Sequence, residues 1–345
     1  RIDDSYGRRN KNYEKQFSKV DQKKHLKFLN IEKFQNQNYT YKNIKYSIQT
    51  HKNFKKINKE KKRILLIGDS FIEGSGLNYE DTLAGQLDDY LGFNYEILNS
   101  AVASYSPSIY YKKIKYYLDE GFKFDKALIF LDVSDIYDEM FIKFNNEGNI
   151  LTHVKTKKKL TAKKIFYSVG KFLRNNSTIF RFLNILSDRT EVVKNYIKLK
   201  IKASKELNKD FFKTNRNDVM FYRMTHIDRG FWTFNENKFN EVKIGLLQSE
   251  KYLIRLFKLL KENEIDSTLI VYPWPTQIFY GDDYHETYWK KFSEKHEINF
   301  VSIYDEFKKE NKRDFIFDNF IYGDIHWNLK GTKRVKDKIV ESLKF

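Results

Sequence analysis

The chain has 345 residues and not one cysteine. Disulfides, thiolate nucleophiles and cysteine-held metal centres are therefore excluded, while the redox compartment stays open. Prolines number only three, and two of them, Pro273 and Pro275, fall in one short loop. No apolar run reaches the roughly 18 residues of a membrane-spanning helix. The first residue is Arg1 rather than Met, so a removed leader or anchor upstream is compatible with an extracytoplasmic, cell-envelope setting. Acidic side chains are in deficit, 46 against 64 Lys and Arg, which leaves a formal charge of +18. One origin of that excess is codon bias, because Lys, Asn, Ile, Phe and Tyr are over-used together. Whatever its origin, the field attracts anionic partners. No nucleic-acid-binding motif accompanies it, so nucleic acid is not an expected partner.

Apolar material is not scarce. Hydrophobic residues make up 41% of the chain and aromatics 17%, enough for a sizeable core. The mean hydropathy of -0.68 reflects abundant lysine. Residues 1–62 are polar, basic and weakly periodic, and read as an N-terminal arm with short strands. From Arg63 the pattern changes. Arg63–Ile67, Tyr95–Leu98, Lys126–Leu131, Ser267–Tyr272 and Ile298–Ile303 are short apolar runs. Helical spacing over Tyr79–Leu91, Ser108–Leu118 and Val242–Leu260 separates them, and a final helix spans Asn328 to Leu343. Strands apolar on both faces and alternating with helices predict a five-stranded parallel sheet covered on both sides. The alternation lapses over 138–240, a helical insertion after the third strand of that sheet. Within it Ile165, Phe166, Val169, Phe172 and Leu173, then Ile179, Phe180, Leu183 and Leu186, form apolar faces beside lysines. Such a helix either packs on its own domain or lies on a membrane surface.

Chemistry concentrates at two distant places. Gly68-Asp69-Ser70 follows the run Ile64–Ile67, and Asp324-Ile325-His326-Trp327 stands near the other end. A serine on a turn leaving a buried strand is a nucleophile candidate. An Asp and a His close together supply a base and the acid that orients it, completing a Ser70-His326-Asp324 triad. Asp69 can accept local backbone N–H groups, and Gly68 allows a sharp turn. Asp135, Asp138 and Glu139 form an acidic group, but with no matching histidine they read as a loop, and no metal or other cofactor is expected. Trp274 and Gln277, in the Pro-bounded loop after the fourth strand of the sheet, and Trp232, at the end of the insertion, are candidates for lining a substrate pocket. A flat indole suits a sugar ring, and core packing is the competing use of both tryptophans.

With these blocks in place the chain resembles the SGNH (GDSL) hydrolase superfamily. Gly68-Asp69-Ser70-Phe71 matches the first block, and Asn99 through Pro107 the second. The third block reads Asp132-Val133-Ser134-Asp135, with Ser134 where relatives carry an asparagine. The resemblance covers 63–135 and 265–345 and implies a three-layer α/β/α flavodoxin-like fold over 63–345. It also implies an oxyanion hole from the N–H groups of Ser70 and Ser104 and the hydroxyl of Ser134. Relatives usually have glycine at the position of Ser104. The Asp-x-His-Trp form resembles that of polysaccharide O-acetyltransferases. The implied activity is ester hydrolysis or O-acyl transfer on a cell-envelope glycan or small acyl ester, with acetyl as the expected acyl group. A lysophospholipase-like esterase and a silent glycan-binding module are the alternatives.

Overall fold

A computed structural model describes residues 39–41, 44–46, 48, 61–144, 178–308, 311–343 and 345, of which 39–46 and 178–191 are described by backbone alone. The apolar cluster expected over 165–173 lies outside these residues, as do His25, His51 and His153. So do the side chains of Ile179, Phe180, Leu183 and Leu186.

A short antiparallel hairpin, β1 (Tyr39–Tyr41) and β2 (Ile44–Tyr46), comes first. Next, β3 (Lys62–Ile67) leads into a single helical turn, α1 (Ser70–Glu73). The helix expected over 79–91 is split in two: a 3-10 turn spans Tyr79–Asp81, and α2 starts afresh at Leu83 and runs to Leu91. Thr82 causes the break, because its extended backbone and its hydroxyl, which accepts the Gly85 N–H, make it an N-cap. Then come β4 (Tyr95–Asn99), α3 (Pro107–Asp119), β5 (Lys126–Leu131) and α4 (Val133–Glu139). Helices α5 (Thr178–Glu206) and α6 (Arg216–Thr225) follow, then a 3-10 turn at Asp228–Thr233 and the long α7 (Glu236–Glu262). The chain returns to the sheet with β6 (Asp266–Val271), α8 (Pro275–Tyr280), α9 (Tyr284–Lys295) and β7 (Asn299–Ser302). It ends with a 3-10 turn at Tyr304–Phe307, α10 (Lys312–Asn319) and α11 (Leu329–Leu343).

The sheet order is β4-β3-β5-β6-β7, and every pairing is parallel. Parallel neighbours require crossover connections, and the helices that make them cover both faces. Ile64–Ile67, Ala127–Leu131 and Leu269–Val271 are therefore almost wholly buried. The expected five-stranded α/β sheet is the observed one, and the long excursion falls between β5 and β6.

Two compact units divide the chain: 1–150 with 224–345, and 151–223. The second is shorter than the expected 138–240 insertion. Contacts on either side explain the difference. Arg229 bonds to both carboxylate oxygens of Asp138 at 3.1 and 3.2 Å, and the Trp232 indole donates to the Val133 carbonyl at 2.8 Å. Both ends of the expected insertion thus belong to the sheet-bearing unit. In the smaller unit the described part is α5 and most of α6, joined by a segment in which Lys209 pairs with the buried Asp218 at 2.8 Å. No helix among the described residues is long and apolar enough to cross a membrane.

Candidate active site

The carboxyl ends of β3, β4 and β5 deliver three loops to one edge of the sheet, where open α/β folds place their ligands. On the first, Gly68 is required by proximity: a Cβ there would lie 2.8 Å from Ile72 Cγ1 and 3.1 Å from Phe130 Cβ. The glycine therefore serves close packing, where a sharp turn was expected. Asp69 caps α1 by accepting the Phe71 N–H at 3.0 Å. Ser70 opens α1 and is half-buried.

The partner comes from the loop between α10 and α11. His326 Nε2 lies 2.8 Å from Ser70 Oγ, across 256 positions of sequence. Its Nδ1 lies 2.5 Å from Asp324 Oδ1, which also accepts the His326 backbone N–H at 3.2 Å. A two-residue spacing suffices because the loop is knotted on itself. Asp324 N–H donates to the Ile321 carbonyl and Ile321 N–H to the His326 carbonyl. Phe71 packs against the imidazole at 4.8 Å and against Trp327 at 4.9 Å, fixing the ring on its apolar side. Burial alone would raise the Asp324 pKa. The hydrogen bonds and charge of His326 outweigh it and hold the carboxyl at about 2. The three side chains singled out from sequence thus form one continuous relay.

The second loop is stitched to the first. Ser100 N–H donates to the Leu66 carbonyl, Val102 N–H to the Gly68 carbonyl, and Ala103 N–H to Glu73 Oε2. Asn99 donates to the Ile72 carbonyl and accepts the Ala101 N–H. Ser104 follows, exposed and with φ +62°. It adopts the left-handed backbone that favours glycine while keeping its N–H.

On the third loop Ser134 lies in the first turn of α4. Its N–H is engaged by Asp132 Oδ1 at 2.6 Å, in the capping box that starts α4, and the residue is buried. Its hydroxyl is the one expected to serve the oxyanion, on a residue only 3% exposed. The acidic residues sort differently from the expected group. Asp138 is the Arg229 partner, and Glu139 accepts the Ser106 hydroxyl at 2.6 Å and the Ser108 N–H at 3.1 Å. Asp135 instead joins Asp69 and Asp132 in a buried cluster with oxygens within 4.8 Å of one another. Protein donors surround it. Tyr272 donates to Asp69 at 3.2 Å, Tyr110 to Asp135 at 3.0 Å and the Trp274 indole to Asp132 at 2.9 Å. Burial first, and then the Asp132 charge, push Asp69 and Asp135 well above the usual carboxylate range.

Trp274 and Trp232 are 0% and 1% exposed. Their indoles are tethered to Asp132 and to the Val133 carbonyl, so neither offers a ring face to a ligand. Both hold the β5 loop in place, and the expectation that they line a substrate pocket is corrected. Gln277 is also buried, with its amide on Gly230 and Thr233. The Asp69–Asp132–Asp135 cluster escaped the sequence reading. Its signal was there, since β3 and β5 are register neighbours that both run into aspartates at their carboxyl ends. Among the other histidines, His285 is fully buried, its ring 3.3 Å from the Tyr304 hydroxyl, and desolvation lowers its pKa to about 3.

No family model matches the sequence, and no curated protein matches it. Solved structures with a related outline exist. A psychrotrophic esterase from Pseudoalteromonas sp. aligns with a TM-score of 0.39 at 12% identity, covering 82% of this chain and 96% of its own. A catalytic mutant of an acetylxylan esterase from Geobacillus stearothermophilus aligns at 0.39 and 11%, covering 82% and 94%. A putative GDSL-like lipase from Parabacteroides merdae aligns at 0.38 and 14%, covering 84% and 99%. Likenesses this distant leave the chemistry to be argued from the residues themselves.

Proposed function

We propose that the protein is a serine-dependent acyl-ester enzyme of the SGNH type. One observation carries the reading: a single imidazole bridges Ser70 and Asp324 at 2.8 and 2.5 Å. In this mechanism Ser70 Oγ attacks the ester carbonyl carbon while His326 Nε2 takes its proton. Asp324 accepts the Nδ1 hydrogen, fixes the tautomer and balances the imidazolium. The N–H groups of Ser70 and Ser104 face the developing oxyanion, an interaction for which loss of one donor costs about 10²–10³ in turnover. When the tetrahedral intermediate collapses, His326 returns the proton to the departing alcohol and an acyl-Ser70 ester remains. The second half repeats these steps with water, releasing acid, or with a hydroxyl, forming a new ester.

We further propose that the acyl group is acetyl and the alcohol a cell-envelope glycan, outside the cytoplasm. The Asp-x-His-Trp form and the net charge of +18 support this reading, since a positive field gathers anionic envelope polymers. The deciding experiment has two parts. A fluorophosphonate probe labels the wild-type protein and not Ser70→Ala; absence of wild-type labelling refutes the serine mechanism and favours a silent binding module. Incubation with acetylated and unacetylated envelope glycans then scores acetate release against acetate transfer. A rate that instead climbs with acyl length on lipid esters refutes the acetyl assignment.

A further inference from the structure

The smaller unit carries an apolar row set among lysines. Val193, Ile197 and Ile201 recur every fourth position of α5, so they align on one face, and all three are exposed. Lys194, Lys198 and Lys202 each follow one residue later and form a second exposed row, about 100° round the helix. Lys205 extends that row, and the half-buried Lys200 borders the apolar row on its other side. Residues 192–206 thus hold five lysines against one acid, Glu206. The lysines of the second row have no carboxylate partner among the described residues. The helix packs elsewhere, through Ala203 and Ser204, both buried.

A large aromatic stands beside this face. Asp210 Oδ1 accepts the Phe212 and Lys213 N–H groups at 2.7 and 3.3 Å, which builds a tight turn after α5. The turn presents Phe212 88% exposed, with Lys213 exposed next to it. Phe211 packs edge-on against Phe212 at 5.4 Å, and Lys200 stands over the Phe211 ring at 4.7 Å. That cation ties the turn to α5 at the border of the apolar row.

Charge and hydrophobicity together select the occupant. A nucleic acid would engage the lysines and leave the apolar row uncovered. A second copy would bring the same charge, since a two-fold dimer sets like surface against like, and each chain carries +18. A bilayer with anionic headgroups uses both rows: apolar side chains enter the acyl boundary while lysines reach up to the headgroups. Helix α7 makes the contrast. It also exposes Ile244, Leu247 and Ile254, but Glu236, Glu241, Glu250 and Glu262 interleave with its basic residues and cancel most of their charge. We propose that the Val193–Ile201 face of α5, with Phe212 beside it, docks on an anionic membrane surface, the helix lying along the headgroups.

The proposal does not rest on the acyl-ester reading. Its test is flotation of the full chain with vesicles made of equal parts phosphatidylglycerol and phosphatidylcholine, against vesicles of phosphatidylcholine alone. Binding is expected to the anionic vesicles only, and to fade as salt rises from about 0.1 to 1 M. Ile197→Asn with Ile201→Asn keeps every charge and is expected to weaken that binding at least about tenfold. Lys194→Gln with Lys198→Gln and Lys202→Gln keeps the apolar row and is expected to weaken it at least about thirtyfold. Melting curves check that each variant is folded. Should either set fail to fold, Phe212→Ser at the exposed turn replaces it, with about a threefold loss expected. Depth has its own readout. The four native tryptophans are all buried, so in Phe212→Trp brominated acyl chains are expected to quench the added indole alone. The proposal is overturned if the chain does not float with anionic vesicles, if neutral vesicles bind it as well, if the folded variants bind like the wild type, or if the indole at position 212 is not quenched. It is also overturned if the isoleucine pair abolishes a dimer that forms without lipid while vesicles leave the chain unbound, because a second copy is then the occupant. Fluorophosphonate labelling of Ser70 without vesicles is expected to be the same in every variant as in the wild type. Failure of that labelling in the wild type, with vesicle binding intact, would remove the catalytic reading and leave this surface standing.

Discussion

Two sets of carboxylates flank Ser70, and they behave in opposite ways. Asp324 stands at the rim with 27% of its side chain exposed, bonded to an imidazole that can carry a charge. Its pKa is held at about 2. Asp69, Asp132 and Asp135 lie beneath, buried among tyrosine hydroxyls, an indole and backbone N–H groups. There desolvation and mutual repulsion raise Asp69 and Asp135. The same residue type has its charged form favoured in one place and disfavoured in the other. Environment, not identity, divides the labour.

The sharpest way to break this comparison is to remove the relay. Ser70→Ala or His326→Ala is expected to lower kcat on an acetyl ester by about 10⁴–10⁶-fold, with melting temperature nearly unchanged. An effect under tenfold would mean that the chemistry lies elsewhere. Asp324→Asn removes the anion and keeps the shape, and a loss of about 10³–10⁴ is expected. Its pH signature is distinctive. The folded pKa lies below the unfolded value near 3.9, so the Asp324 contribution to stability is complete above pH 4 or so. It disappears as pH falls from about 4 to about 2. Urea midpoints of wild type and Asp324→Asn should therefore converge over that window and stay apart above it.

Effects on the buried layer should appear in stability first. Asp132→Ala deletes the α4 cap and strands the Trp274 indole, at an expected cost of about 2–4 kcal/mol. Asp135→Asn should act the other way. It retains an acceptor for Tyr110 and for the Asp132 N–H, and removes one charge from the cluster. Because the folded Asp135 pKa is raised, the wild type loses stability as pH climbs above the unfolded value. The variant's melting point should exceed the wild type's at pH 7, and the gap should close towards pH 4. A gap independent of pH would show that Asp135 is not protonated in the native state.

The smallest effect is expected at Ser104→Gly. Relief of the left-handed backbone gains about 1 kcal/mol, and the added freedom of the unfolded chain returns about 0.4–1 kcal/mol of it. Stability should rise by no more than about 0.5 kcal/mol, with turnover within about twofold because the N–H remains. A tenfold loss would assign the Ser104 side chain a part in the chemistry.

The sheet was legible because its strands are unbroken apolar runs: Ile64–Ile67 and Ala127–Leu131 have no polar face to conceal. Ser70 and His326 were legible because each adjoins such a run or a helix start. Gly68 was identified for the wrong reason, since close packing against Ile72 and Phe130 is invisible without the third dimension. Trp274 and Trp232 were misplaced for the same cause. Nothing local shows that an indole N–H will find a buried carboxylate 142 positions away. Thr82 was missed as a helix start because the apolar spacing continues smoothly across it, while its capping hydroxyl breaks the helix.

The span between Ser70 and His326 also sets a timetable. The nucleophile is translated 256 positions before its base. At about 5–20 residues per second the growing chain carries an inert serine for tens of seconds. On the proposed mechanism the serine becomes reactive only once the turn carrying His326 has packed against Phe71. Ser70 then has no base until the last strand of the sheet has been synthesised.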